Sequence, residues 1–162
     1  MTQVHERPRS IQIAEIMMPH MSNFSGNIHG GNLLSLFDKV AYACASQYSS
    51  LSMVTLSVDQ VFFKEPIFVS DLVVCYGTVN YVGNTSMEIG IRVEAQNLLT
   101  GERRHTNTCY FTMVALGENG KPTTIPPFTP VTDIDRRRFE AAQQRRKFRL
   151  EHFRQIKLDQ KN

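Results

Sequence analysis

The stretch from residue 32 to residue 47 constrains the fold of this chain more than any other feature. It contains neither proline nor glycine and is rich in Leu and Ala, which favour helices. When its residues are placed at about 100° each around a helical axis, the apolar side chains point in nearly every direction. A surface helix would confine them to one stripe. The pattern therefore predicts a long helix that is buried on most sides.

Strand-like segments surround this helix in the sequence. The last three are too close together for crossover helices, which favours an antiparallel meander. A long apolar helix together with such strands predicts an α+β fold in which a sheet of about five antiparallel strands curls around the helix. The segments alternate in hydropathy or are rich in β-branched residues, and they cover residues 11–16, 53–63, 72–82, 87–95 and 106–116.

The C-terminal part of the chain differs from the rest in composition. Residues 117–132 hold four of the seven prolines and are predicted to be extended, with Asp133 as the N-cap of a helix over residues 134–157. From Val131 onward the chain has ten Lys or Arg and five Asp or Glu, a charge of +5, whereas residues 1–130 carry −2, which gives the total of +3. We therefore expect a main domain over residues 1–130 and a basic helical extension over residues 131–162.

Length and composition suit one compact soluble domain of 162 residues, 41% of them hydrophobic. The three cysteines are odd in number and widely spaced, which favours buried free thiols over disulfides or a zinc site. The first ten residues are polar and do not resemble a signal peptide, and no apolar run has the length of a membrane span. These features predict a cytoplasmic protein without a metal or a membrane span.

Asp38 is the most unusual residue of the predicted central helix. Between Leu33 and Ala45 it and Lys39 are the only charged residues, and Lys39 can extend its long side chain to water. A buried carboxylate costs several kcal/mol unless it is paired or hydrogen-bonded. Asp38 therefore either lies on an exposed or paired stripe of the helix or serves as a catalytic carboxylate.

Gly30 and Gly31 lead directly into this helix. Unpaired backbone amides at a helix start favour an oxyanion or a polarised carbonyl. Gly31 and Asp38 are seven residues apart, which is about 10 Å along a helix, so one carbonyl cannot contact both. If both act on the same carbonyl, they must come from two chains related by a two-fold axis.

Three sequence segments together resemble the hotdog-fold acyl-CoA thioesterases, the group similar to bacterial YciA and the cytosolic acyl-CoA hydrolases. The most specific is Asn-x-x-Gly-x-Ile-x-Gly-Gly, from Asn23 to Gly31, followed by Asp38. The others are Thr-Leu-Ser-Val-Asp at residues 55–59 and Val-Gly-Asn-Thr-Ser at residues 82–86. The resemblance implies a helix wrapped by a curved sheet, a homodimer as the minimal active unit, and often a trimer of dimers.

The same resemblance implies hydrolysis of fatty acyl-CoA to a free fatty acid and CoA. Asp38 would be the general base or the nucleophile, an amide of Gly30 or Gly31 would polarise the thioester carbonyl, and Asn23 would hold the water or the carboxylate. No cofactor is implied, because CoA is part of substrate and product. The residues implied in binding substrate or the CoA arm are His29, Gly83, Asn84, Thr85 and Ser86. Asn84 stands where relatives often have Arg, which could remove a phosphate contact.

Two other functions remain open at this point. A related hotdog enzyme, a hydroxyacyl dehydratase, would need a His and a carboxylate in its site, and His29 precedes the helix rather than lying on it. A non-catalytic acyl-CoA-binding or nucleic-acid-binding module would use the basic tail. That tail mixes acidic residues among the basic ones, which favours packing in an oligomer or a contact with CoA over nucleic-acid binding.

Overall fold

The computed structural model describes residues 7–159, which form five strands and two long helices around one core. The strands pair antiparallel throughout, in the order β1-β3-β4-β5-β2, so β3, β4 and β5 form the expected meander. The predicted α+β architecture is confirmed. The elements are β1 (Ser10–Ile16), α1 (Gly30–Ser49), β2 (Ser52–Val58), β3 (Asp71–Val82), β4 (Ser86–Asn97), β5 (Arg103–Leu116) and α2 (Asp133–Asp159).

Helix α1 packs against one face of the sheet and contacts all five strands. Its sheet-facing side is made of fully or nearly fully buried residues. Gly77 of β3 permits this close packing, because a Cβ at that position would lie only 2.9 Å from Cγ1 of Val40. The buried residues of α1 are Leu33, Leu36, Phe37, Val40, Ala41, Cys44, Ala45, Tyr48 and Ser49.

The opposite side of α1 is open in the single chain, although the pattern predicted burial on most sides. Leu34 is 38% exposed and Tyr42 is 50% exposed, and Asp38 lies between them on the same stripe. Beside them runs the edge strand β2, where Leu56 is 62% exposed. One sheet can cover only one side of a helix, so this apolar stripe has no cover from within residues 7–159.

The second predicted strand is shorter than expected. It ends at Val58, and residues 59–70 form an irregular segment rather than continuing the strand to Phe63. The amide of Asp59 still donates to the carbonyl of Tyr110, at 3.0 Å, after which the chain leaves the sheet. The alternation of apolar residues continues beyond that point, but here it lines the flank of α1.

Helix α2 packs on the outer face of the sheet, opposite α1. Phe139 packs against Tyr81 of β3 in a tilted arrangement with ring centroids 5.0 Å apart, and Ala142 is fully buried. The amide of Asp135 donates to the Thr132 hydroxyl, and the Thr132 amide donates to the Asp135 carboxylate, both at 3.1 Å. Thr132, not the predicted Asp133, is therefore the N-cap, because the reciprocal pair forms a capping box.

The cysteines are free and buried, as expected. Burial raises the pKa of each thiol, those of Cys44, Cys75 and Cys109, to about 12. These thiols are therefore protonated and unreactive at neutral pH.

A buried ion pair joins α2 to the sheet and gives a stability prediction. Glu88 is 2% exposed and accepts from Arg145 at 2.7 and 3.1 Å and from Asn80 at 3.2 Å. Replacing Arg145 with Met leaves this carboxylate buried without its cation. We therefore expect the free energy of unfolding, measured by urea titration, to fall by about 3 kcal/mol. The double variant R145M/E88Q should recover most of the loss. Equal stability of R145M and wild type would contradict the prediction.

Candidate active site

Asp38 lies on the open stripe of α1, where a neighbouring strand fixes its side chain. The hydroxyl of Thr55, on β2, donates to Oδ1 of Asp38 at 2.5 Å. Thr55 is opposite Met113 in the β2–β5 ladder, so the sheet positions its hydroxyl toward α1. The Asp38 carboxylate is therefore exposed in the single chain. Its hydrogen-bond partner is a hydroxyl and not a cation.

Two adjacent grooves meet at Asp38. The first, of about 570 Å³, is mainly apolar, and the second, of about 430 Å³, passes beside Lys39. A carboxylate at the edge of an apolar groove can act on a reactive group while an attached hydrocarbon chain lies in the groove. The first groove is lined by Leu34, Ser35, Asp38, Val58, Asp59, Val61, Phe63 and Phe111.

The side chain of His29 caps the first turn of α1. The amide of Gly31 donates to Nδ1 of His29 at 3.0 Å, so His29 is the N-cap and occupies one of the two predicted oxyanion donors. Phe63 lies close to Gly30, since a Cβ there would be 3.5 Å from Cζ of its ring. Within residues 7–159 no acceptor is found for the Gly30 amide, which makes it the donor that a carbonyl can reach without displacing His29.

Asn23 organises the loop before α1. Its side-chain oxygen accepts from the amides of Ser25, at 2.9 Å, and Asn27, at 3.2 Å. These two bonds orient the carboxamide, and its nitrogen remains as a donor toward a water or a carbonyl oxygen. Asn23 does not line either groove that contains Asp38.

The four residues implied in binding the CoA arm form the tight turn between β3 and β4. The amide of Gly83 donates to the carbonyl of Ser86 at 2.8 Å. The carbonyls of Asn84 and Thr85 accept from Ile125 and Ala115. The turn lies outside both grooves, so a single chain does not bring it together with Asp38.

Two residues of the site were missed from the sequence. Thr55 belongs to the segment that carries the resemblance, but no role was predicted for it. Phe63 lies in a segment that the pattern predicts to be a strand, but its ring lines the apolar groove and lies beside Gly30 at the start of α1. The sequence signal for Thr55 is its position: it is a hydroxyl residue on β2, the strand that directly follows the helix bearing Asp38.

Comparison with known proteins decides the family. Residues 25–102 match the Thioesterase superfamily. The uncharacterized acyl-CoA thioester hydrolase YkhA of Bacillus subtilis is 37% identical over 117 residues, which cover 72% of this chain and 68% of that protein. The chain belongs to the thioesterase superfamily. The expected resemblance is therefore confirmed, and the protein is a thioester hydrolase.

Solved structures confirm the hotdog architecture of this thioesterase. The hexameric hotdog fold thioesterase Cj0915 of Campylobacter jejuni aligns with a TM-score of 0.66 and 35% identity, over 70% of this chain and 88% of that chain. An acyl-CoA hydrolase from Staphylococcus aureus, solved with butyryl-CoA and CoA, aligns with a TM-score of 0.81 and 26% identity, over 92% and 93% of the two chains.

Alanine variants of the S. aureus hydrolase at an asparagine, an aspartate and a threonine have also been solved. The three positions are separated by 15 and 17 residues along that chain, the same intervals that separate Asn23, Asp38 and Thr55 in this thioesterase.

Neither a metal site nor a membrane-spanning helix is found in the described part of the thioesterase. Residues 7–159 contain no group of three or more His, Cys, Asp or Glu that could hold a metal ion. None of the helices within that range is both long and apolar enough to cross a bilayer.

Proposed function

We propose that this thioesterase hydrolyses fatty acyl-CoA to a free acid and CoA, with Asp38 acting on the thioester carbonyl. The observation that carries the proposal is the Asp38 carboxylate, held by Thr55 at the edge of an apolar groove. The groove suits a hydrocarbon chain, and the exposed carboxylate suits the polar reacting group. The matching spacing of asparagine, aspartate and threonine in the S. aureus hydrolase supports the same three residues here.

The reaction needs few protein groups because a thioester is already an activated acyl group. As a general base, Asp38 takes a proton from water while the water oxygen bonds to the carbonyl carbon. The C–S bond then breaks, and the CoA sulfur leaves as a thiolate that accepts a proton. As a nucleophile, Asp38 would instead form a transient anhydride that water opens. Both routes use the same carboxylate and the same amide donor, and neither requires a cofactor.

The second half of the site comes from another copy of the chain. Gly30 begins α1 and Asp38 lies two turns later on the same helix, too far apart for one carbonyl. Antiparallel pairing of two α1 helices through the open stripe places the start of one helix beside Asp38 of the other, twice in each dimer. The exposed Leu34 and Tyr42 supply the apolar contact for this pairing.

Edge strand β2 gives the dimer a second contact. Pairing of β2 with its copy would satisfy its unpaired backbone groups and extend the sheet from five to about ten strands. We further propose a trimer of such dimers, because Cj0915 is hexameric. The turn at residues 83–86, distant from Asp38 in one chain, would then bind the CoA arm at a boundary between chains.

A panel of acyl-CoA substrates from acetyl to palmitoyl tests the activity. Release of free thiol, measured colorimetrically, should be fastest for chains long enough to fill the groove beside Asp38. Because the groove is apolar, each methylene that enters it should lower KM. If no chain length releases CoA, the proposed function is wrong.

Replacing Thr55 with Val tests how Asp38 is positioned. Valine keeps the shape and removes the hydroxyl that donates to Asp38. A hydrogen bond to a charged group is worth about 1.5–3 kcal/mol, so we expect kcat to fall about tenfold or more while KM changes little. Thr55→Ser restores the donor and should retain most of the rate. A T55V enzyme with the kcat of wild type would remove Thr55 from the site.

A further inference from the structure

Helix α2 runs along the outer face of the sheet from the β1 edge toward the β2 edge. Asp135 pairs at 3.1 Å with Arg9, the residue before β1, and the Phe139 ring packs at a tilt against Tyr81 of β3. Arg145 binds Glu88 of β4, and Arg149 binds Asp59, the residue after β2, at 3.0 Å. Successive contacts along the helix thus follow the strand order from the β1 edge to the β2 edge.

Helix α2 is longer than the width of the five-stranded sheet. From Asp135 to Arg149 the helix rises about 21 Å, close to the 19 Å or so that four strand spacings cover. It is therefore nearly perpendicular to the strands. From Arg149 the helix continues to Asp159, about 15 Å farther, which equals about three strand spacings beyond the β2 edge.

The side of α2 that faces the sheet remains apolar beyond this edge. Phe153 and Ile156 lie on the same helical face as Ala142 and Arg149, but they are 47% and 37% exposed because no strand within residues 7–159 lies beneath them. Phe148 lies on the flank of the helix, about 110° around the axis from that face, and is 74% exposed. The residues of α2 from 150 to 158 are called the α2 arm below.

We infer that the α2 arm docks on the outer face of the second copy's sheet and locks the dimer. The inference rests on the proposed function, in which the two copies pair through β2. In that arrangement β2, β5 and β4 of the second copy lie directly beyond the edge that α2 crosses, and the arm has the length to span these three strands.

The outer face offers an apolar patch where the arm would land. Antiparallel pairing places the end of β2 in one copy beside the start of β2 in the other, where Val54 lies opposite Val114 and Ser52 opposite Leu116. Val114 and Leu116 alternate with Met113 and Ala115, which are buried beneath the sheet, so they face outward and are half-buried. Val54, Val114 and Leu116 form the patch that receives Phe153 and Ile156.

The double variant F153D/I156D tests this docking in the full-length protein. Both residues are exposed in the single chain, so the variant should fold, and its far-ultraviolet circular dichroism should match that of wild type. We expect its dimer dissociation constant, measured by sedimentation, to rise at least about tenfold, and its specific activity to fall on dilution. Phe148→Asp adds one carboxylate on the flank of the helix, about 110° around the axis from the sheet-facing side, and should change neither property. Equal dissociation constants for F153D/I156D and F148D would overturn the inference.

A photo-crosslinking phenylalanine analogue at position 153 locates the contact directly. In a mixture of isotopically light and heavy chains, we expect light–heavy crosslinks to peptides that contain Val54 or residues 114–116. Crosslinks confined to one chain, or to other surfaces of a second chain, would refute docking on this patch. If wild type keeps full specific activity as a monomer, the proposal that two chains share the active site is wrong. A dimer-dependent wild type with an unaffected F153D/I156D variant rejects the arm alone.

Discussion

Replacing Asp38 with Asn is expected to lower kcat for acyl-CoA hydrolysis by about 10²–10⁴, the contribution typical of a positioned general base. Asparagine has nearly the same shape and can still accept the hydrogen bond from the Thr55 hydroxyl. It can neither remove a proton from water nor form an anhydride. The groove is unchanged, so KM for the substrate should remain close to that of wild type.

The measurement is steady-state thiol release at saturating substrate, with purified D38N and wild type compared at equal oligomer concentration. Glu118→Gln makes the same acid-to-amide exchange in an exposed turn after β5 and should keep the wild-type rate. A D38N enzyme with full kcat would show that another group acts on the carbonyl. A D38N enzyme with raised KM and normal kcat would make Asp38 a binding residue only.

The elements of this fold were predictable because they depend on local patterns. Helix α1 and the meander from β3 to β5 follow from apolar periodicity and from turns too short for a crossover. The boundary errors have equally local causes. The apolar alternation continues after Val58, but those residues pair with no neighbouring strand, so β2 ends earlier than predicted. Thr132 and Asp133 are both residue types that favour an N-cap, and it is Thr132 that forms the capping box with Asp135.

The candidate site depends on contacts that no local pattern contains. Thr55 reaches Asp38 only because β2 pairs with β5 in one register and α1 crosses beneath that edge. Likewise, the sequence pattern does not distinguish an apolar residue that packs within its own chain from one, such as Leu34 or Tyr42, that a second copy would cover. The sequence thus predicts the carboxylate and the need for a second copy, but not how the carboxylate is held.

Mixing two inactive variants should restore activity if the site is shared between chains. Asn23→Asp keeps the oxygen that accepts from Ser25 and Asn27 and loses the donor nitrogen, and Asp38→Ala removes the carboxylate. In a heterodimer, one site carries both substitutions, whereas the other combines the intact Asn23 of one chain with the intact Asp38 of its partner. With random exchange half of the dimers are heterodimers, so we expect about a quarter of the wild-type activity.

This recovery distinguishes a shared site from a self-contained one because the two arrangements differ by orders of magnitude. If Asn23 and Asp38 of the same chain act together, every site in the mixture lacks one of them. The mixture then has only the mean residual activity of N23D and D38A, whatever the extent of exchange. Subunit exchange is verified by native mass spectrometry of light and heavy chains, and a D38A/N23D double variant mixed with D38A serves as the control that should stay inactive. Complete exchange without recovery would place the whole reaction within one chain.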